Sequence, residues 1–212
     1  MAEKLWIEQL VVGPIETNCY LLRDGEDGRE AVIVDPGDDA GEIAGALEEL
    51  RALPRAILLT HGHYDHILAV NELKKRYPDC LVYIGEHERA MVEDSSLNGS
   101  FLGEHDPIAP DVYLKDNEEI SLIGRTFRVI GTPGHTAGSV SYYAPEDKVL
   151  FSGDTLFFRG MGRTDLPTGN AGELFRSLKR LFAELPPDTE VCPGHGRATV
   201  LGLEKGNEDY LL

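Results

Sequence analysis

The segment Thr60-His61-Gly62-His63-Tyr64-Asp65-His66 places four potential metal ligands within six residues. Imidazole nitrogen and carboxylate oxygen suit Zn²⁺ and other borderline divalent ions. Two alternating histidines on extended backbone point to opposite faces, so His61 and His63 reach one ion only if the chain curls. Gly62 permits that curl. Asp65 and His66 then fall on the next turn, toward a different point, and the spacing suggests two adjacent metal positions. Three further clusters carry candidate ligands: Gly131-Thr132-Pro133-Gly134-His135, Phe151-Ser152-Gly153-Asp154-Thr155 and Val191-Cys192-Pro193-Gly194-His195-Gly196. Each follows a run of β-forming residues, as His61 does. Ligands at the carboxyl ends of neighbouring strands converge on one edge of a sheet.

The elements that must position these residues are legible in the apolar pattern. Strands are expected over 5–12, 18–23, 30–34, 55–60 and 81–84, with Gly13-Pro14 as the turn between the first two. The run over 30–34 ends in a tight turn at Asp35-Pro36-Gly37. Ile43, Ala46, Leu47 and Leu50 have helical spacing within 39–53, with Asp39 as the candidate cap. A second helix is expected over 67–77, stopped by Pro78, and a short one over 86–92. Residues 94–118, rich in Ser, Asn, Gly and Pro, read as a long surface loop or lid. Strands resume over 119–123, 126–131, 139–144, 148–152 and 189–192. A helix over 171–184 has Leu174, Leu178, Leu181, Phe182 and Leu185 on one face, and Asn170 with Glu173 resembles a capping box. Strands alternating with helices in the first half indicate α/β organisation. His87 and His105 belong to no ligand pattern and read as surface residues; Cys19 and Cys192 read as core.

The chain has 212 residues, enough for one domain or two small ones with a real core. Lys and Arg number 20 against 37 Asp and Glu, a net charge of −17. That balance repels phosphate backbones and anionic membranes, so neither a nucleic-acid nor a membrane partner is expected. No apolar run reaches the roughly 20 residues needed to span a bilayer. Cys19, Cys80 and Cys192 form no CxxC pair, and no secretory leader is evident at the N-terminus. Reduced thiols in the cytoplasm are the simplest expectation.

The run His61-x-His63-x-Asp65-His66, followed by His135, Asp154 and His195, resembles the metallo-β-lactamase superfamily over essentially the whole chain. Gly153-Asp154-Thr155-Leu156-Phe157, Gly160-Met161-Gly162-Arg163-Thr164-Asp165 and the tail from Gly194-His195-Gly196 through Leu201-Gly202-Leu203-Glu204-Lys205 are similar to its glyoxalase II-like branch, the relatives of hydroxyacylglutathione hydrolase. The resemblance implies an α/β fold, a four-layer αββα sandwich, as a single domain over 1–212 with a dinuclear site at one edge. By position, His61, His63 and His135 would hold a first ion, Asp65, His66 and His195 a second, and Asp154 would bridge them. Two divalent ions are implied, Zn²⁺ first, with Fe²⁺ or Mn²⁺ also accommodated.

The implied activity is metal-dependent hydrolysis of a small-molecule thioester or ester by a metal-bound hydroxide, with Asp65 orienting the nucleophile. A thioester suits such a site because a thiolate leaves without a strong general acid. Arg163 matches the branch's glutathione-binding basic position, whereas Asp165 stands where the branch carries an aromatic. Arg163 is therefore expected either to contact substrate or to pair with Asp165. The glyoxalase II enzymes carry an extra C-terminal helical domain, and none is expected within 1–212. The alternatives within the same fold are a mononuclear iron persulfide dioxygenase, a lactonase and a phosphodiesterase.

Overall fold

In the computed structural model, which describes residues 4–99 and 106–206, the apolar runs form two facing sheets. The first contains β1 (Leu5–Val12), β2 (Thr17–Asp24), β3 (Glu30–Val34), β4 (Leu53–Leu59), β5 (Leu81–Gly85) and β6 (Val112–Leu114), in that spatial order. β1, β2 and β3 are antiparallel neighbours; β3 to β6 run parallel. Parallel neighbours need crossovers. Here α1 (Ala40–Glu49) joins β3 to β4, and α2 (Tyr64–Ile67) with α3 (Val70–Arg76) joins β4 to β5.

The second sheet comprises β7 (Glu119–Leu122), β8 (Arg125–Gly131), β9 (Val140–Ala144), β10 (Val149–Gly153), β13 (Glu190–Pro193) and β14 (Thr199–Val200), ordered 14-13-10-9-8-7. A two-stranded ribbon, β11 (Leu156–Phe157) and β12 (Gly160–Met161), follows β10. Helix α5 (Ala171–Glu184) leads into β13, α4 (Arg89–Glu93) follows β5, and α6 (Leu201–Glu204) follows β14.

Successive strand residues face opposite sides of a sheet, and the buried residues sort accordingly into three clusters. Leu21, Ile33, Ile57 and Leu59 pack against Ile43 and Leu47 of α1 and Val70 and Leu73 of α3. Their strand neighbours Leu22, Val32, Val34 and Leu58 face Phe127, Val129, Tyr142 and Phe151 of the other sheet. On the far side, Ile130, Leu150 and Val191 meet Leu178, Leu181 and Leu185 at α5. The layers are helix, sheet, sheet, helix, the expected αββα sandwich. Strands buried on both faces need near-continuous apolar sequence, which is why 30–34 and 148–152 read so clearly.

Asn170 accepts from the Glu173 amide (3.1 Å) and caps α5 as expected. Asp39 does not cap α1. Its backbone is left-handed (φ 52°), and its carboxylate accepts instead from the Gly13 amide (2.8 Å). The helix expected over 67–77 is divided, because Tyr64–Ile67 forms a separate turn before α3 begins at Val70. Within 94–118, Val112–Leu114 is a strand paired with β5, and residues 100–105, His105 among them, lie outside the described residues. His87 is exposed, and the three cysteines are buried and free. No helix among the described residues is long and apolar enough to cross a membrane.

The two sheets are stitched at the edge where β4, β10 and β13 end. The Asn18 amide donates to Gly194 O (2.7 Å) and the Val140 amide to Thr60 O (2.9 Å). The Tyr20 and Tyr142 hydroxyls donate to Pro193 O (2.7 Å) and Leu59 O (2.8 Å). Each bond joins a strand of one sheet to the carboxyl end of a strand in the other.

Candidate metal centre

All seven expected ligands meet at this edge. β4 ends at Leu59, the chain turns through Thr60–Gly62, and α2 starts with His63 as its N-cap in extended conformation. The first turn of α2 then carries Asp65 and His66. His135 lies in the β8–β9 turn, Asp154 directly follows β10, and His195 lies two residues beyond β13.

His61, His63 and His135 bring one ligand atom each to a common point, and Asp65, His66 and His195 do the same beside it. Ligands about 2.0–2.2 Å from a tetrahedral ion stand about 3.3–3.6 Å from one another. His66 Nε2 lies 3.3 Å from His195 Nε2, and Asp65 Oδ2 lies 3.2 Å from His195 Nε2 and 3.5 Å from His66 Nε2. His63 Nδ1 lies 2.8 Å from His135 Nε2. Asp154 stands between the groups: Oδ1 is 3.4 Å from His66 Nε2, while Oδ2 is 3.5 Å from His135 Nε2 and 3.6 Å from His195 Nε2. Among the described residues, the buried atoms His61 Nε2, His63 Nε2 and Asp154 Oδ1 have no hydrogen-bond partner. Buried polar atoms without partners are expensive unless something else satisfies them. The donor set, the spacing of the Asp65, His66 and His195 group, and the orphaned His61 Nε2 and Asp154 Oδ1 fit a pair of divalent cations.

Hydrogen bonds at the far ring nitrogens aim the ligands. His135 Nδ1 contacts Arg163 O (2.7 Å), and a carbonyl only accepts, so the proton is assigned to Nδ1 and Nε2 is left as a ligand. Thr60 Oγ1 donates to Asp35 (2.6 Å) and so accepts from His61 Nδ1 (3.1 Å). Asp35 Oδ2 also takes His66 Nδ1 (3.0 Å), and His195 Nδ1 faces Glu16 O (3.3 Å). Four of the five imidazoles are thus anchored through Nδ1 and turn Nε2 inward.

Asp35 was not among the sequence candidates. It is buried, left-handed (φ 48°), and additionally accepts from the Thr60 amide (2.8 Å). Its Asp-Pro-Gly setting read only as a turn. What gives it a role is the parallel pairing of β3 with β4, which sets Asp35 beside Thr60 and His66.

Charge divides the site. Burial, then the neighbouring imidazoles, holds His61 well below the usual histidine range and His63 down at about 3; burial also lowers His135. Burial opposes charge on His66 too, but Asp65, Asp154 and the bond to Asp35 outweigh it and push His66 up to about 10. His195 is likewise raised against burial by Asp65 and Asp154. Burial alone would raise Asp65, yet His66 and His195 hold it below the ordinary carboxylate range. Burial and mutual repulsion favour neutral imidazoles in one triad, while Asp65 and Asp154 favour protonated imidazoles in the other.

A cleft of about 490 Å³ opens above the centre, walled by Ile15, Tyr64, Phe157, Met161, Leu166 and Arg163. Asn98 and Gly99 reach this wall, and the Tyr64 amide donates to Asn98 O (3.0 Å). The 94–118 segment therefore does border the site. Arg163 and Asp165 form the bidentate pair (2.7 and 2.8 Å) that was one of the two expected outcomes.

A profile of the metallo-beta-lactamase superfamily matches residues 12–195, which spans every ligand named above. The chain belongs to this superfamily. The chain is similar to "Probable metallo-hydrolase YqgX" of Bacillus subtilis, 36% identical with 96% of each chain covered. "Hydroxyacylglutathione hydrolase GloC" of Haemophilus influenzae is 34% identical, with 97% of each covered. Among solved structures, the BLEG-1 B3 metallo-beta-lactamase superposes with a TM-score of 0.86 at 41% identity, covering 94% of this chain and 96% of that one. TTHA1623 in a di-iron-bound form gives 0.83 at 39%, covering 94% and 98%. ETHE1 from Myxococcus xanthus gives 0.77 at 32%, covering 95% and 82%.

Proposed function

We propose that this superfamily member is a dinuclear metallo-hydrolase that cleaves a small-molecule thioester in the glyoxalase II-like manner. The observation that carries the reading is the pair of facing triads with Asp154 between them, its two oxygens turned to different histidines. Two divalent ions held by these two triads would lower the pKa of a water and polarise an acyl oxygen. The chain's own residues supply the rest. Asp65 accepts from Thr17 Oγ1 (3.2 Å) and has oxygen lone pairs left to orient an attacking water. Ile15, Phe157, Met161 and Leu166 shield the acyl group from bulk solvent.

The lining of the cleft bears on the leaving group. Among the described lining residues, the histidines are committed as ligands. Tyr64, the remaining proton donor able to titrate, is raised above its ordinary value by burial and by Asp65. A wall without an acid near neutrality favours a group that departs as the free anion. A thiolate, with a thiol pKa near 8.5, does so far more readily than an alkoxide or an amide anion. Arg163, the cation among the described lining residues, is paired with Asp165, which weakens it as a partner for a glutathione carboxylate. The reading is therefore of a thioesterase without commitment to S-lactoylglutathione. It includes a reducing, cytoplasmic setting, supported by three free buried cysteines, and no nucleic-acid or membrane partner, supported by the charge of −17.

The test is a panel of thioesters, lactones, phosphodiesters and glutathione persulfide, run on protein of measured metal content. Two ions per chain with turnover of thioesters is expected. One iron per chain with oxygen uptake on persulfide would replace this reading with the dioxygenase. Turnover confined to lactones or phosphodiesters would keep the centre and overturn the substrate.

A further inference from the structure

Glu88 ends the 3-10 turn Glu86–Glu88 and precedes α4. A glutamate in a short surface helix ordinarily points to water. This one is fully buried. A buried carboxylate is costly unless hydrogen bonds replace its hydration, and Glu88 has three. Oε2 accepts from the Gly62 amide (2.7 Å). Oε1 accepts from Thr136 Oγ1 (2.7 Å) and from the Gly138 amide (2.8 Å).

The donors come from two separate loops. Gly62 lies between His61 and His63, and Thr136 directly follows His135. One carboxylate therefore ties together the two segments that carry the whole first triad. Two glycines let it approach. A Cβ on Gly62 would stand 2.6 Å from Met91 Cβ, and one on Gly138 would stand 2.4 Å from the His87 carbonyl carbon. The 86–91 segment is thus seated against both loops at a distance that side chains there would forbid.

We propose that Glu88 is a positioning residue that sets the placement of His61 and His63 relative to His135, and so the affinity and geometry of the first metal position. The proposal rests on the dinuclear reading and is independent of which bond is cleaved. A residue that merely supported the fold would weaken both metal positions together. Glu88 contacts neither Asp65, His66 nor His195, so its loss should fall on one.

The test uses the full chain, loaded with Zn²⁺ under chelator competition and with Co²⁺ for its absorption spectrum. Glu88→Gln keeps the volume and turns an amide N–H₂ toward the donors. Thr136→Val removes a single donor and serves if Glu88→Gln does not fold. Far-UV circular dichroism checks the fold of each. Loss of an outer partner typically lowers metal affinity about 10–100-fold. Glu88→Gln is expected to do so for the first ion, with the second changed by less than about threefold. The Co²⁺ bands of the three-histidine position should shift, and Thr136→Val should move both readouts the same way by less. First-ion affinity within about threefold of the parent in both variants, or equal losses at both ions, would overturn the proposal. Fewer than two ions bound by the parent chain would overturn the dinuclear reading and this inference with it.

Discussion

The two triads differ in charge, and metal loading should report it. His61, His63 and His135 all lie below the ordinary histidine value of 6.5, so above that pH they bind an ion without shedding protons. His66 is pushed up to about 10, and His195 is raised as well. An ion entering beside Asp65 must first displace the His66 proton. At pH 7 that proton lies about three pH units below its release point. Displacing it costs about 4 kcal/mol, or roughly a thousandfold in apparent affinity. The sign follows from the raised value: the penalty is largest at low pH and fades as pH rises toward 10. An ion already in the first position repels the proton and the second ion alike, so the slope is a better diagnostic than the absolute affinity. Chelator competition on metal-stripped chain at about pH 6.5, 7.5 and 8.5 should give log affinity nearly flat for the first ion. For the second it should rise by about one per pH unit, or more if His195 also releases a proton. Isothermal titration in buffers of different ionisation enthalpy should find at least one proton released by the second ion and about none by the first. Equal slopes, or a steeper slope for the first ion, would refute the division of charge.

Other substitutions test individual contacts. Asp154→Ala should take metal content from two ions per chain to one or fewer and lower turnover by more than the roughly 10–100-fold typical of an outer partner; unchanged metal content would contradict its bridging place. Asp35→Ala leaves the Thr60 amide, the Thr60 hydroxyl and His66 Nδ1 without their acceptor. At about 1–3 kcal/mol per buried unsatisfied group, urea unfolding of the metal-free chain should lose about 3 kcal/mol or more, and a loss below about 1 kcal/mol would refute the assignment. Asp165→Asn frees Arg163 and should lower KM for a carboxylate-bearing thioester by up to about fivefold, the scale of an exposed ion pair, while a neutral thioester is unaffected. Phe151→Ala, between the sheets, should cost about 3–5 kcal/mol in unfolding free energy without changing metal stoichiometry.

The convergence of the seven residues was legible because His61, His135, Asp154 and His195 each stand in a Gly-containing turn just after an apolar run, and strand ends converge whatever the details of packing. The layers were legible because doubly buried strands and the one-sided face of α5 need distinctive sequence. Asp35 and Glu88 were not legible, for opposite reasons. Asp35 sits in a turn dipeptide whose chemistry is already explained locally, and its partners arrive only through β3–β4 pairing. Glu88 has the residue type and helical setting of a surface position, and only the seating of its segment against Gly62 and Gly138 buries it. Strands of two or three residues, such as β11, β12 and β14, are too short for alternation to register. Asp39 shows the limit of a capping rule, since its left-handed backbone turns the side chain away from the helix start.

The cross-sheet bonds from Asn18, Tyr20, Val140 and Tyr142 hold the strand ends together through the chain's own atoms. The cage is consequently built before anything enters it, and stripping the ions with a chelator should leave a folded, refillable scaffold. A receptacle of imidazole and carboxylate has ligand types that zinc, iron and manganese all accept, with intrinsic affinity rising from manganese towards zinc. The occupant of the cage would then depend on supply as well as on that order, and the same polypeptide would present different reactivities with different metals.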